Sequence, residues 1–384
     1  MTVFGLLALL TPIHPLRAQS AATSTPSAIM NLPVTEKLPD PFELPNGNRV
    51  QSAADWRLQR ERIKTSLAFY QYGHLPPAAP VRVTESANLP DENGARHQQL
   101  RLACGAGNAL TFTLDLRIPK GANGPLPVIL TGDAGNTPIP DEVIARGYIL
   151  AQFDRAAFAP DDNSRRGGIY AIFPDTDCGT LGGWAWGYSR AIDALTTRAD
   201  VDANRIVIAG HSRGGKAVLL AGALDERVAL TVGAQSGTGG AAPFRLRGKN
   251  SESLEQATGR FNYWFGPRLR QFAGRETQLP FDQHELLALI APRHLLLLNS
   301  WGDAYSNAGA AQQTFLASRE VFEFLGAKNN IGLHFREGGH AFNADDWRVL
   351  LDFADRQLRG KETTVNFEEW GNVEAAFDWR APQN

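Results

Sequence analysis

Arg205-Ile206-Val207-Ile208-Ala209-Gly210-His211-Ser212-Arg213-Gly214-Gly215-Lys216 is the stretch whose reading decides the fold. Arg205 to Ala209 is a short, nearly wholly apolar strand of the kind that belongs in a parallel sheet covered on both faces. Lys216 to Ala223 reads as a helix, so Gly210-His211-Ser212-Arg213-Gly214 forms a strand-to-helix turn and satisfies G-x-S-x-G. Small residues at 210 and 214 let the chain turn sharply around a strained serine, and the helix N-terminus favours negative charge developing beside it. Ser212 is the candidate nucleophile; the bland alternative is an ordinary glycine-rich turn.

Outward from this turn, apolar periodicity predicts strands at 80–89, 98–104, 109–117, 126–131 and 147–153, with helices at 56–72 and 185–198. Downstream come a strand at 228–234, a glycine-rich and charged excursion at 236–280, a helix at 282–290, a strand at 294–298, a helix at 308–325, a strand at 331–336 and a helix at 342–358. The alternation implies one α/β domain over 51–384, a three-layer sandwich around a mostly parallel sheet. Residues 19–50, rich in Ser, Thr, Pro and Asn, read as an extended arm with apolar anchors in Leu38-Pro39-Asp40-Pro41-Phe42. Beyond Gly360, Phe367, Trp370, Phe377 and Trp379 are expected to dock parts of the tail.

The apolar run Val3–Leu10, followed by Ala18, reads as a signal peptide over 1–18, which sends the mature chain to the periplasm or out of the cell. That run is too short to span a bilayer, and no later segment reads as a membrane span. With 384 residues the chain buries a large core without metal or disulfide staples. Lys and Arg total 38 against 40 Asp and Glu, a net charge of −2 that excludes a strongly cationic nucleic-acid binder. The two cysteines, Cys104 and Cys178, make no disulfide scaffold, and their pairing stays open. His340 lacks an H-x-x-x-H partner, the carboxylates form no spaced ligand set, and no glycine-rich nucleotide motif follows the first strand, so neither metal nor cofactor is expected.

A neutral serine is a weak nucleophile and needs a base held by an acid. His340, in Glu337-Gly338-Gly339-His340-Ala341-Phe342, follows the 331–336 strand and comes last in the order serine, acid, histidine. Asp303, on the loop after the 294–298 strand, is the best acid, against a loop-capping role. Asp345 and Asp346 read as first-turn helix residues. His211 is expected to face away from the serine, and His284, His294 and His334 to pack or hydrogen-bond. The backbone N–H of Arg213 suits an oxyanion hole, to which its side chain adds charge. Lys216, one turn into the helix, is expected to reach a polar substrate. Trp184 and Trp186 read first as core.

The run Gly210-His211-Ser212-Arg213-Gly214-Gly215-Lys216 resembles the nucleophile motif of the glucuronoyl esterases, carbohydrate esterase family 15, most of all their bacterial branch. Leu38–Phe42, Trp56, Tyr72-Gly73, Trp184-Ala185-Trp186-Gly187 with Arg190 and Asp193, Ser236-Gly237-Thr238-Gly239-Gly240, Trp264-Phe265, Leu279-Pro280-Phe281-Asp282 and Ala291-Pro292-Arg293 resemble further landmarks. Together they cover most of residues 38–345. The resemblance implies an α/β-hydrolase fold and cofactor-free cleavage of esters between 4-O-methyl-glucuronic acid on glucuronoxylan and lignin alcohols, through an acyl-enzyme on Ser212; a monomer is expected, separately from the resemblance. It gives Arg213 the oxyanion, Lys216 a contact to sugar hydroxyls, Glu252 a place near the pocket, and Tyr305, with Trp301 as competitor, the aromatic contact to the uronate. Many members carry a triad glutamate where this chain has Ser236; some place the acid later, as Asp303 would be. Rival readings are an acetylxylan or broader carbohydrate esterase and a non-catalytic carbohydrate-binding homologue. The basic residues of the 236–280 excursion suit a rim for acidic xylan.

Overall fold

The computed structural model describes residues 31–133, 137–369 and 373–383. The expected signal peptide, the first part of the arm and Trp370 lie outside the described residues. Contacts divide the chain into Met1–Pro33 and Val34–Asn384, and everything below belongs to the second unit.

The strands are β1 (Val81–Glu92), β2 (Ala95–Cys104), β3 (Leu110–Pro119), β4 (Leu126–Thr131), β5 (Ile149–Gln152), β6 (Val201–His211), β7 (Val228–Ala234), β8 (His294–Ser300) and β9 (Ile331–Arg336). Among the described residues they form one sheet in the order β1-β2-β3-β5-β4-β6-β7-β8-β9. From β5 to β9 the pairs are parallel, while β1, β2 and β3 add an antiparallel wing. The apolar runs of β4, β7 and β8 are buried along nearly their whole length, as strands covered on both faces must be. In β3 burial alternates residue by residue, whereas β1 is almost wholly exposed, a charged edge of the kind that resists pairing with another chain. The β1–β2 hairpin runs further than its sequence suggested: Asn93 and Gly94, both at positive φ, turn it tightly, and after an irregularity at Pro90 and Asp91 the pairing resumes at Glu92 and Ala95.

The helices are α1 (Ala53–Leu67), α2 (Pro140–Ala145), α3 (Ile169–Ile172), α4 (Thr180–Leu195), α5 (Arg213–Leu224), α6 (Leu254–Arg260), α7 (Gln283–Ala288), α8 (Ala308–Phe324) and α9 (Ala344–Arg359). Helices α2, α3 and α6 carried no separate sequence signal, since each spans only one or two turns. One face of the sheet packs against α2 and α9, where Trp347, Leu350 and Leu351 meet Ile129, Val207 and Leu296. On the other face α5 packs against β6, β7 and α4. Among the described residues no helix is long and apolar enough to cross a membrane.

The two ends of the second unit meet. Leu38 and Phe42 are buried, Trp379 Nε1 donates to the Leu38 carbonyl at 2.9 Å, and Phe42 lies edge-on to Trp379. Phe367 is buried where Leu333 N donates to its carbonyl, so this part of the tail docks beside β9. Trp184 and Trp186 are core residues whose indole N–H groups donate to Ala159 and Pro77 carbonyls. Cys104 and Cys178 are buried free thiols, and burial pushes the Cys178 thiol up to about 12, so it stays protonated.

Candidate active site

The site stands at the carboxyl ends of the parallel strands, where open α/β sheets place ligands. Strand β6 runs into Ser212, which has φ 55° and ψ −121°. The turn is fixed from both sides: Ser212 N donates to Ala234 O at the end of β7 (2.9 Å), and Ser212 O accepts from Lys216 N (3.0 Å). Space dictates a glycine at 214, because a Cβ there would sit 2.7 Å from the Asp133 carboxylate. That carboxylate, at the end of β4, accepts from His211 N (3.1 Å) and pairs with Arg155.

Asp303 follows β8 and His340 follows β9. Their loops touch so closely that a Cβ on Gly302 would lie 2.3 Å from the Gly338 carbonyl oxygen. His340 Nδ1 donates to Asp303 Oδ2 at 2.6 Å, with Ser306 Oγ 3.1 Å away, and the Ser306 hydroxyl donates to Gln235 O (3.3 Å). Burial raises the Asp303 carboxyl, but hydrogen bonds from His340 and Ser306 outweigh it and hold the group below its usual value. An ionised acid on Nδ1–H leaves Nε2 as the basic nitrogen. Among the described residues no hydrogen bond joins Ser212 Oγ to His340. Free enzymes often hold this contact open and tighten it with substrate.

His211 packs against the imidazole of His340: their ring centroids are 4.6 Å apart, and Phe342 stacks on His211. Burial, with His340 nearby, pushes His211 down to about 4. It is thus a neutral wall that adds no positive charge beside His340 when that ring takes a proton. Asp345 and Asp346 occupy the first turn of α9 as expected; Asn343 caps that turn, and Asp346 pairs with Arg336.

The Arg213 guanidinium is tethered to Asp161, which also accepts from Trp264 Nε1 at 3.0 Å, and it lies over the faces of Phe261 and Trp264. Those two rings stack at 3.7 Å and 4°, forming an aromatic shelf beside the serine helix.

Lys216 is engaged within the protein itself. It is only 4% exposed, and its ammonium donates to the carbonyls of Ser236 and Thr238, with Glu252 Oε2 at 3.9 Å. Burial lowers it to about 8, with Glu252 opposing. It is therefore first the anchor of the loop after β7. Lys216→Met orphans two carbonyls, costing about 1–3 kcal/mol each, but relieves a buried ammonium whose desolvation costs several kcal/mol. The two effects are of like size, so the melting temperature is expected to move only a few degrees. The loosened loop carries Gln235 and Thr238, which brace Ser306 and Glu252, so kcat/KM is expected to fall about 100-fold. Thermal unfolding and steady-state rates separate the two.

Ser236 is 1% exposed and its Oγ accepts from Ala241 N, making it part of the loop's internal structure. Glu252 is buried and accepts from Tyr305 OH at 2.7 Å, which with burial pushes the phenol up to about 12. Tyr305 is 46% exposed, so its ring is open to solvent. Trp301, expected as its competitor, is not in this cluster: it stacks on Phe335 at 4.0 Å and rims a neighbouring cavity. Asp161, Asp133, Ser306 and His211 complete the surroundings without having been singled out for these contacts. The only signal for Ser306 was its place three residues after Asp303; the others had none.

Comparison with known proteins places the chain. A family model described as glucuronyl esterase, fungi, matches residues 103–326. A 4-O-methyl-glucuronoyl methylesterase from Phanerochaete carnosa is 30% identical over 383 residues, covering 95% of this chain and 91% of the relative. Among solved structures, a carbohydrate esterase family 15 glucuronoyl esterase from Caldicellulosiruptor kristjansonii superposes with a TM-score of 0.82 at 32% identity, over 92% of this chain and 99% of the other. A serine-to-alanine mutant of the glucuronoyl esterase from Sporotrichum thermophile, solved in complex with methyl 4-O-methyl-β-D-glucopyranuronate, superposes with a TM-score of 0.75 at 27% identity, over 90% and 94% of the two chains.

Proposed function

The chain belongs to the glucuronyl esterases, carbohydrate esterase family 15, and on that premise we propose that it cleaves esters joining 4-O-methyl-glucuronic acid branches of xylan to lignin alcohols. It is a carboxylic ester hydrolase. The observation that carries the site assignment is the 2.6 Å bond from His340 to Asp303 at the same end of the sheet as the strained Ser212.

Ser212 Oγ attacks the uronoyl carbonyl while His340 Nε2 takes its proton, the contact closing as substrate fills the site. The carbonyl oxygen that becomes negative is met by the Arg213 N–H at the start of α5 and by its guanidinium, held in place by Asp161. One such donor contributes about 3 kcal/mol to the transition state. The imidazolium then protonates the departing alcohol, and Asp303 stabilises its charge without accepting the proton. Water activated by His340 releases the free uronic acid and regenerates Ser212. Tyr305 and Glu252 face the sugar, and the one Lys216 proton not donated to the loop completes that contact. No step calls for a metal or cofactor. A wall polymer as substrate puts the reaction in the periplasm or outside the cell, carried out by a monomer.

Methyl or benzyl glucuronate is expected to be hydrolysed with a kcat/KM about tenfold or more above that for acetylated xylan. Steady-state assays on both check this. A preference for acetyl esters would replace the assignment with a broader carbohydrate esterase.

A further inference from the structure

The loop 301–307 has two sides. One presents Asp303 to His340; the other borders a cavity of about 580 Å³, lined by Arg247, Lys249, Trp301, Asn307 and Gln313 among others, to whose edge Asp303, its carboxylate engaged by His340, also contributes. The reaction chemistry uses none of these five side chains. The volume falls within the range of small-molecule sites, about 300–1,000 Å³, and suits a segment of two or so sugar rings.

Its walls are braced. Asn307 Nδ2 donates to Leu246 O at 2.7 Å, Gln313 Nε2 donates to Glu374 O at 2.7 Å, and Gln313 Oε1 accepts from Ala376 N at 2.7 Å. Arg245, also on the lining, is committed to Asp282. Two lining side chains differ from these: Arg247 and Lys249 are exposed and make no hydrogen bond or ion pair among the described residues. Trp301 completes the rim, half exposed and held flat by its stack on Phe335. Two unneutralised cations beside a fixed aromatic face match an anionic pyranose, the ring on the indole and the carboxylate on the cations.

We propose that this cavity is a second saccharide subsite, which takes an unesterified uronate of the same polysaccharide while the esterified one occupies the reaction centre. The inference rests on the proposed glucuronoxylan reading. In an esterified unit the carboxyl is neutral, so the cations select a free uronate neighbouring the target. They thereby favour polymer carrying both forms.

The test uses the full chain and the double variant Arg247→Ala/Lys249→Ala. On methyl glucuronate, which fills only the reaction centre, the variant is expected to stay within about twofold of wild type. On partially methyl-esterified glucuronoxylan its kcat/KM falls roughly five- to tenfold, mostly through KM, and 0.5 M salt brings wild type down toward it. On fully esterified glucuronoxylan the two are expected to match. Equal rates on the partially esterified polymer, or an equal loss on the fully esterified one, would overturn the subsite. Affinity electrophoresis through de-esterified glucuronoxylan against neutral arabinoxylan reads the subsite without turnover. Wild type is retarded by the acidic polymer and the double variant markedly less, and an unretarded wild type overturns the proposal. Failure to cleave any glucuronate ester, with that retardation intact, would sink the esterase reading and leave the subsite standing.

Discussion

Ser212→Ala lowers kcat on methyl glucuronate by about 10⁴-fold or more, while the melting temperature stays within about 2 °C of wild type. The two outcomes share one cause. Ser212 sits at φ 55° and ψ −121°, a region a side chain occupies only under constraint, at a cost of about 1–3 kcal/mol. Alanine keeps the Cβ, hence the strain and the backbone bonds to Ala234 and Lys216, and removes only the hydroxyl. Ser212→Gly removes the Cβ as well, so it is expected to be equally inactive but more stable than the alanine variant by about 1 kcal/mol. Initial rates and thermal unfolding of the pair separate chemistry from strain. Substantial hydrolysis by either variant would remove Ser212 from the reaction.

The elements that present the serine were legible because they are locally written. Val207, Ile208 and Ala209 form a short apolar run that suits a doubly covered strand, and the glycines that follow allow the sharp turn into the helix. His340 and Asp303 were legible by order, since the loops after successive parallel strands all emerge at one end of the sheet. What stayed hidden is set by packing between segments far apart in sequence. The Asp161 tether to Arg213 spans 52 residues, and neither partner carries a period or motif that names the other. The contact between His211 and His340 depends on Phe342 and the cap of α9 setting the path of the last loop. Lys216 looked like a ligand contact because helical spacing places it on the serine's side. Spacing says nothing of the loop after β7, which folds over the ammonium and accepts two of its hydrogen bonds.

Asp303→Asn is expected to cut kcat by about 10⁴-fold, against less than about twofold for Asp345→Asn. The reason lies in the tautomer. Asp303 accepts from Nδ1 at 2.6 Å and thereby keeps Nε2 free of a proton. An asparagine can turn its amide N–H toward Nδ1 instead, which protonates Nε2 and leaves the serine without a base; the loss should appear in kcat with little change in KM. Asp345 is exposed and paired with Arg348 on α9, so its neutralisation touches nothing that reacts. The same substitution leaves a pH signature in stability. The Asp303 carboxyl lies below its ordinary 3.8 in the folded chain, so the ionised group adds stability that is present above that value and is lost as pH falls through the lowered one. The melting-temperature gap between wild type and Asp303→Asn is therefore expected at neutral pH and should close in strong acid. Equal, small rate effects of the two substitutions would take Asp303 out of the relay, and a gap that persists unchanged in acid would mean that its ionised hydrogen bonds are not what holds the loop.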